Sequence, residues 1–402
     1  MDLPAPVAAA PPPARMHFSG DASDFFRILF RGSLLQIPTA GFYRFWLITD
    51  IRRHFWSHTQ IGDDAFEYTG LGRELLIGFL IAMAVLVPIY LGYFLLTLEA
   101  ERQQAFASVP LVAILYLVGH YAVFRARRYR ASRTIFRGVR FFMTGSGLAY
   151  LGRAIVWDLL TILTLGFAYA WRAASLERYK MDHTRYGSIA GGFVASGWTL
   201  FKRGAWLWAI FLLVAGTAGA LALAEHWGWA IFLAVAVGIP APILLPVFRA
   251  IELRWWLEGI RLGRVEAISD LKIGAVVKCH VKTLLAWMLY GALGGIVAGI
   301  VVAIGAGAVL LLFGGFESVP EGVGLPAAVI GGVLGALIYF AFLLGFDIIR
   351  RIYLDRGVWA AAVASVTLIN LDQLDEVVAA GGELPSGVGE GLLDALDMGG
   401  GF

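Results

Sequence analysis

The sequence predicts an all-α polytopic membrane protein with about six full transmembrane helices, two short broken or re-entrant helical units and small cytoplasmic β-hairpins. Three observations support this class. Hydrophobic residues make up 59% of the 402 residues and charged residues only 15%, whereas roughly a quarter of a soluble protein is charged. Several apolar runs exceed the roughly 18 residues needed to cross a bilayer. An internal duplication also indicates a repeated structural unit.

The duplication aligns residues 32–62 with residues 157–187 at a constant offset of 125, without a gap. Each copy breaks its apolar pattern at a Thr-x-Gly turn. We therefore expect each copy to be a helix–turn–helix that dips into the membrane or lies at its surface. The alternative is one kinked helix that crosses fully. The identical pairs include Thr39 and Thr164, Gly41 and Gly166, Trp46 and Trp171, and His58 and His183.

The expected organisation has three parts. These are a disordered Pro/Ala tail at 1–16, a membrane domain at 17–357 and an acidic C-terminal tail at 358–402. The membrane domain is divided into short units at 18–70 and 145–197 and helix pairs at 71–144, 198–268 and 269–357. The N-terminal tail has no basic region and is broken by prolines, so it is no signal peptide. The acidic tail is either disordered or lies on the basic cytoplasmic face.

Charge distribution predicts the orientation of the predicted spans. These spans are Leu75–Leu98, Leu111–Phe124, Ala205–Ala224, Trp229–Phe248, Leu284–Phe313 and Pro326–Phe346. The three connecting loops at 99–110, 225–228 and 314–325 contain only Arg102 among the 32 Lys and Arg residues. The positive-inside rule then places both termini in the cytoplasm. This assignment is consistent only if each short unit enters and leaves the membrane on one side.

Glycine turns between short β-prone runs indicate hairpins in the cytoplasmic segments. Gly62, Gly138 and Gly187 occupy such turns, and residues 261–265 form a further degenerate copy. We expect small hairpins, which could join in one sheet at the membrane surface.

One set of ordered motifs resembles a known family. The set comprises Thr164-Leu165-Gly166-Phe167, Trp171, Arg178-Tyr179, Thr184 and a later Phe-x-x-x-Gly segment. It is similar to the YjgN-like family, a bacterial inner-membrane family built around a domain of unknown function. The resemblance covers about 18–357, although Pro38 and Ala40 replace Leu163 and Leu165 in the first copy. It implies a multi-pass bacterial inner-membrane protein and no catalytic residues.

The candidate substrate or pore site consists of the two turns, Thr39 with Gly41 and Thr164 with Gly166, together with Asp158. An ionisable residue at membrane depth is costly and therefore a functional candidate. The alternative for Asp158 is an interfacial acid that pairs with an arginine such as Arg153. We interpret Glu177 beside Arg178, and Glu252 beside Arg254, as interfacial ion pairs.

Clustered arginines are candidates for binding anionic lipid headgroups. They are Arg52, Arg53, Arg127, Arg128, Arg178, Arg350 and Arg351. The alternative is that these residues only set the orientation.

Metal, cofactor and catalytic sites are not expected. Asp50, His54 and His58 share one helix face, and histidines four residues apart can ligate a metal. The second copy does not repeat this pattern, and the single Cys279 excludes a cysteine cluster. The sequence contains no phosphate-binding loop, nucleophile elbow or zinc helix. We expect no enzyme, no nucleic-acid partner and a lipid bilayer as the main partner; the oligomeric state stays open.

Two functions follow from these patterns. Repeats, broken short units and glycine-rich helices favour a transporter or channel for a small solute. The alternative is a non-transporting scaffold or an anionic-lipid-binding envelope protein. A continuous polar cavity that reaches both sides would favour transport, and a basic lipid-lined groove would favour the alternative.

Overall fold

A ring of short strands organises the chain. The structure, a computed structural model, describes residues 13–100, 108–238, 241–313, 321–380 and 385–396. In these ranges the strands are β1 (Ala14–Phe18), β2 (Thr59–Ile61), β3 (Asp64–Tyr68), β4 (Thr134–Phe136), β5 (Val139–Met143), β6 (Thr184–Tyr186), β7 (Ile189–Phe193), β8 (Ile260–Leu262), β9 (Val265–Ser269) and β10 (Val366–Ile369).

These ten described strands form one closed antiparallel barrel in the order β1-β10-β9-β8-β7-β6-β5-β4-β3-β2. Four consecutive pairs are hairpins whose turn glycines, including Gly62 at φ 61° and Gly138 at φ 73°, have the positive φ that glycine adopts without strain. The fifth pair joins the two ends of the chain, with Ala14 opposite Leu368. Strand β1 also pairs with β2, which closes the ring.

Helices connect the strands. They are α1 (Ala22–Gln36), α2 (Arg44–Ser57), α3 (Gly72–Ala100), α4 (Ser108–Ser132), α5 (Gly147–Leu163), α6 (Tyr169–Asp182), α7 (Gly197–Leu223), α8 (Trp227–Gly238), α9 (Ala241–Gly259), α10 (Ile273–Phe313), α11 (Glu321–Ile349), α12 (Arg356–Ala364) and α13 (Val388–Ala395). A π-helical segment covers Arg350–Asp355, and a 3₁₀ helix covers Leu371–Leu374.

The chain leaves the barrel after each strand pair and returns through a helix that ends at the next strand. The returning helices α2, α4, α6, α9 and α12 end at β2, β4, β6, β8 and β10. The short units α1–α2 and α5–α6 begin and end at paired strands, such as β5 and β6. Their geometry therefore agrees with a helix–turn–helix and not with one kinked crossing helix.

The predicted all-α class is wrong because the hairpins are parts of a closed ten-stranded barrel. The turns lie where the glycines predicted them. Strands of three to five residues are too short to be stable as isolated hairpins, and closure satisfies their edges. The closing strands come from the first and last parts of the chain, which the sequence analysis assigned largely to tails.

The prediction of six full spans is also corrected. Among the described residues, four helical stretches are long and apolar enough to cross a membrane, namely Gly72–Thr97, Gly197–Leu223, Ile273–Gly305 and Gly331–Ala364. The predicted span Leu111–Phe124 belongs to α4, which continues into an arginine-rich half. The predicted span Trp229–Phe248 is divided between two helices, α8 and α9. Helix α8 has only 12 residues, whereas a span needs about 20.

Several predicted segments fall on residues outside the described ranges. These are residues 1–12 of the N-terminal tail, 101–107 and 314–320 of the connecting loops, and 381–384 and 397–402 of the acidic tail. Residues 14–16, also assigned to the first tail, belong to β1. The described part of the acidic tail is folded onto the protein through β10, the 3₁₀ helix and α13.

Candidate functional site

The returning helices line a central cavity of about 970 Å³. Its wall comes mainly from α2, α4, α6, α9, α10 and α12. The charged residues of the wall are Arg127, Arg130, Arg172, Lys180, Arg249, Glu177, Glu252 and Asp355. The large aromatic residues are Trp56, Tyr150, Tyr169, Trp255, Trp256 and Trp359. The wall therefore combines charged groups with broad apolar surfaces.

Glu177 is the best-connected acid of the cavity. It accepts a hydrogen bond from Arg127 at 3.1 Å and one from the Trp256 indole N–H at 3.0 Å, and it pairs with Lys180. Burial alone would raise the pKa of Glu177. The charges of Lys180 and Arg127 outweigh burial and hold this pKa at about 2. Glu177 is therefore a carboxylate at every physiological pH.

Asp158 lies beside the cavity and joins three helices. It accepts a hydrogen bond from the Tyr116 hydroxyl at 2.6 Å, lies 3.1 Å from His120 Nε2 and pairs with Arg172. The expected partner Arg153 instead lies over the ring of Tyr179. Asp158 is thus paired with an arginine, but with one from the opposite arm of the short unit.

A second cavity of about 460 Å³ fills the barrel lumen. Its exposed wall is almost entirely apolar. Several residues line both cavities, among them Trp56, Thr134 and Trp359, so the two cavities are adjacent. At the other end, Leu374 packs with Phe136 and Tyr186 inside the barrel. A charged cavity and an apolar cavity therefore lie side by side.

Threonines lie where three of the returning helices join the barrel. Thr59, Thr134 and Thr184 each begin a strand and donate to the carbonyl four residues earlier, at 2.7–2.9 Å. These bonds satisfy carbonyls at the helix ends. The same local sequence therefore positions three returning helices in the same way.

The two Thr-x-Gly turns do not line the central cavity. The Thr39 hydroxyl accepts from the Tyr43 amide at 3.1 Å, and Thr164 accepts from Ala168 at 3.0 Å. Gly41 and Gly166 have φ of 86° and 88°. The turns therefore link two helices, and the second one borders an apolar groove of about 400 Å³ beside Trp208.

The predicted headgroup arginines do not form one patch. Arg127 lines the central cavity, whereas Arg52 is buried against Tyr68 and Glu390. Arg350 and Arg351 pair with Asp347 in and beside the π-helical segment. The remaining three lie elsewhere on helices, with Arg53 bonded to the Gly70 carbonyl, Arg178 to the Phe193 carbonyl and Arg128 half-buried on α4.

The Asp50, His54 and His58 face is used for packing. His54 is stacked on Phe25, and its main-chain oxygen lies 2.7 Å from His58 Nδ1. Burial, together with the charges of His58 and Arg356, lowers the pKa of His54 to about 4. In the described residues no group of three or more His, Cys, Asp or Glu is arranged to hold a metal.

Sequence reasoning missed several cavity residues. Arg172, Lys180 and Arg249 were not selected, and Glu177 was assigned to an interfacial ion pair with Arg178. The sequence did contain a signal for Glu177. In three successive repeats a charged residue stands seven residues before the strand, namely Arg52, Arg127 and Glu177.

Together, these features define a helical membrane protein with a strand barrel and a charged internal cavity. The chain belongs to the family described as bacterial protein of unknown function (DUF898), whose model matches residues 13–395. The resemblance to the YjgN-like family is thereby confirmed. No curated protein and no solved structure matches the chain.

Proposed function

We propose that this membrane protein binds an anionic amphiphile, such as an anionic lipid, and that it is a binding protein rather than an enzyme. The observation that carries the proposal is that the charged central cavity and the apolar barrel lumen are adjacent and share lining residues. A charged headgroup suits the first space and an apolar chain suits the second. Both volumes fall in the roughly 300–1,000 Å³ range of ligand pockets.

The charges of the central cavity favour an anion. Its wall has five Lys or Arg side chains and three acidic side chains. Two positive charges are therefore in excess among the wall residues, and two acids outside the wall, Asp158 and Glu390, pair with Arg172 and Arg130. A cation in a partly desolvated cavity binds an anionic oxygen more strongly than in water. The tryptophans at the boundary suit the junction between headgroup and chain.

Lipid binding can be tested in nanodiscs that contain phosphatidylcholine with or without phosphatidylglycerol. We compare the wild type with Lys180→Met, which removes a cavity cation, and with Lys202→Met, which removes an exposed lysine on α7. Binding of phosphatidylglycerol should weaken about tenfold in Lys180→Met, about 1.4 kcal/mol, and stay unchanged in Lys202→Met. Equal binding by all three proteins would contradict the proposal.

Transport of a small solute is the second candidate. The size of the cavity and its mixture of both charge signs favour it. The apolar barrel lumen opposes it, because a hydrated solute would lose its water there without polar partners. Efflux of charged solutes from liposomes containing the protein, absent from protein-free liposomes, would support transport over binding alone.

We also propose that the protein spans the bacterial inner membrane several times, with both termini in the cytoplasm. Pairing of β1 with β10 supports a common location for the two ends of the described chain. The arginines near the barrel ends of α2 and α4, such as Arg52 and Arg130, agree with a cytoplasmic barrel under the positive-inside rule.

A further inference from the structure

The C-terminal segment, defined here as residues 370–380 and 385–396, is fastened to the protein at two places. The first is the crevice between α3 and α4, which holds α13. Leu392 and Leu393 are buried there against Ala82 of α3 and Ala126 of α4. Helix α13 has eight residues, and a helix this short is not stable alone in water. Its conformation therefore depends on the crevice.

Glycines allow the backbone of α13 to pack directly against the backbone of α3. A Cβ atom on Gly391 would lie 2.1 Å from the carbonyl carbon of Gly78, and one on Gly78 would lie 2.2 Å from the Gly387 carbonyl oxygen. No side chain fits at these contacts. The crevice is thus specific for the segment, and a larger residue at Gly391 would expel it.

The charge contact of α13 is a buried carboxylate between two arginines. Glu390 lies 2.9 Å from Arg52 Nη2 and 3.1 Å from Arg130 Nε. The side chain of Glu390 is 7% exposed and that of Arg52 is 5% exposed. Arg130 also lines the central cavity. The two arginines belong to the helical body of the protein, whereas their anionic partner belongs to the C-terminal segment.

The second fastening covers the turn end of the barrel. Asp375 pairs with Arg137 at 2.7 Å, the Ser188 amide donates to the Val378 carbonyl at 3.0 Å, and Asn370 donates to the Arg264 carbonyl at 3.1 Å. Leu374 is buried in the lumen. The segment therefore covers the far end of the barrel with Leu374, and its Glu390 pairs with Arg52 and Arg130 beside the central cavity.

We propose that Glu390 is an internal occupant of an anion-binding site on Arg52 and Arg130, and that a ligand bearing phosphate or carboxylate displaces the C-terminal segment. An incoming anion would replace the carboxylate without leaving buried guanidinium groups unpaired. A ligand that binds only the open state shifts the population toward it. The chemical class of the ligand rests on the proposed function; the docking of the segment does not.

Hydrogen–deuterium exchange of residues 385–396 tests the proposal, with the full chain in phosphatidylcholine nanodiscs. We expect protection to fall at least tenfold as phosphatidylglycerol or inorganic phosphate is added. Glu390→Gln and Gly391→Val should lose protection without any ligand. The exposed Glu376→Gln should behave as the wild type. Gly391→Val keeps both arginines and Glu390, so it should also bind the anion about tenfold more tightly.

The two ligand sources give different results. Release by phosphate alone indicates a site for free anions, and release only by phosphatidylglycerol indicates a lipid headgroup. If protection stays unchanged at saturating amounts of both, while binding remains sensitive to Lys180→Met, the internal-occupant proposal is overturned and the proposed function stands. If the segment is released but Lys180→Met binds normally, the central-cavity proposal fails instead.

Discussion

Arg127 donates a hydrogen bond to Glu177 over 3.1 Å, and the two residues occupy the same place in neighbouring repeats. One repeat has a base where the next has an acid. The ends of α4 and α6 that lie next to the barrel are thereby held together by opposite charges. Arg52, at this place in the first repeat, obtains its carboxylate from Glu390 in the C-terminal segment.

Replacing Glu177 by Gln should lower the free energy of unfolding by about 3 kcal/mol, because buried Lys180 and half-buried Arg127 would lose their counter-charge. The double variant Glu177→Gln with Arg127→Met should be less destabilised than the sum of the single variants. Thermal unfolding in detergent measures both effects. Glu376→Gln provides an exposed control, and additive effects of the two substitutions would contradict the pairing.

Stability should depend on pH through His54. Its pKa is lowered from 6.5 to about 4 in the folded protein, mainly by burial. Between these pH values the unfolded chain holds more proton, so stability falls as the pH falls through this window. From pH 7 to pH 5 the wild type should lose about 2 kcal/mol more than His54→Phe. The unfolding midpoint measured at both pH values gives the difference.

The backbone strain at the Gly41 turn can be tested by comparing two glycine-to-alanine substitutions at positions where the added Cβ atom has free space. A Cβ atom on Gly41 or Gly152 would meet nothing within 4 Å, but Gly41 has a φ of 86°. Gly41→Ala should therefore destabilise the protein by about 1–2 kcal/mol through backbone strain alone. Gly152→Ala, inside α5, should stabilise it by about 0.5–1 kcal/mol. Similar unfolding midpoints for the two variants would show that the turn conformation is wrong.

Closure of the barrel predicts a cross-link between distant parts of the chain. Ala14 and Leu368 are opposite each other across β1 and β10. In a Cys279→Ser background, cysteines at these positions should form a disulfide, because paired strands bring Cα atoms to about 4.5–5.5 Å. Cysteines at Phe18 and Leu368 lie four residues out of register, about 13 Å along the strand, and should not. Mass spectrometry of digested protein detects the linked peptides.

The proposed topology predicts that reporters fused after Gly70 and after Gly145 report the same compartment. Both positions follow a barrel strand, β3 and β5. Because one barrel lies on one side of the membrane, both fusions should give the cytoplasmic signal. A fusion in the connection between α7 and α8 should give the opposite signal. Different compartments for the first two fusions would contradict the topology.

Local patterns were enough to predict some elements. Long apolar runs predicted the helices α3, α7, α10 and α11, because the length needed to cross a bilayer is a property of one continuous segment. Glycines between short β-prone runs predicted the hairpin turns at Gly62 and Gly138, because a tight turn is a property of a few consecutive residues. Arg127 was selected from the basic run and does line the cavity. Glu177 was misassigned, because its nearest charge in sequence, Arg178, is not its partner in space.

Composition and local sequence pattern are sufficient to predict the membrane class, the duplicated short units and the positions of the turns. These depend on composition and on residues within one or two turns of each other. Only the tertiary structure decided that the strands close into a barrel, which residues share the cavity and where the acidic tail docks. Each of these depends on groups more than 45 residues apart, such as Ala14 with Leu368, Arg127 with Glu177 and Arg52 with Glu390. Their free energy arises only when the helices bring those groups together and exclude water.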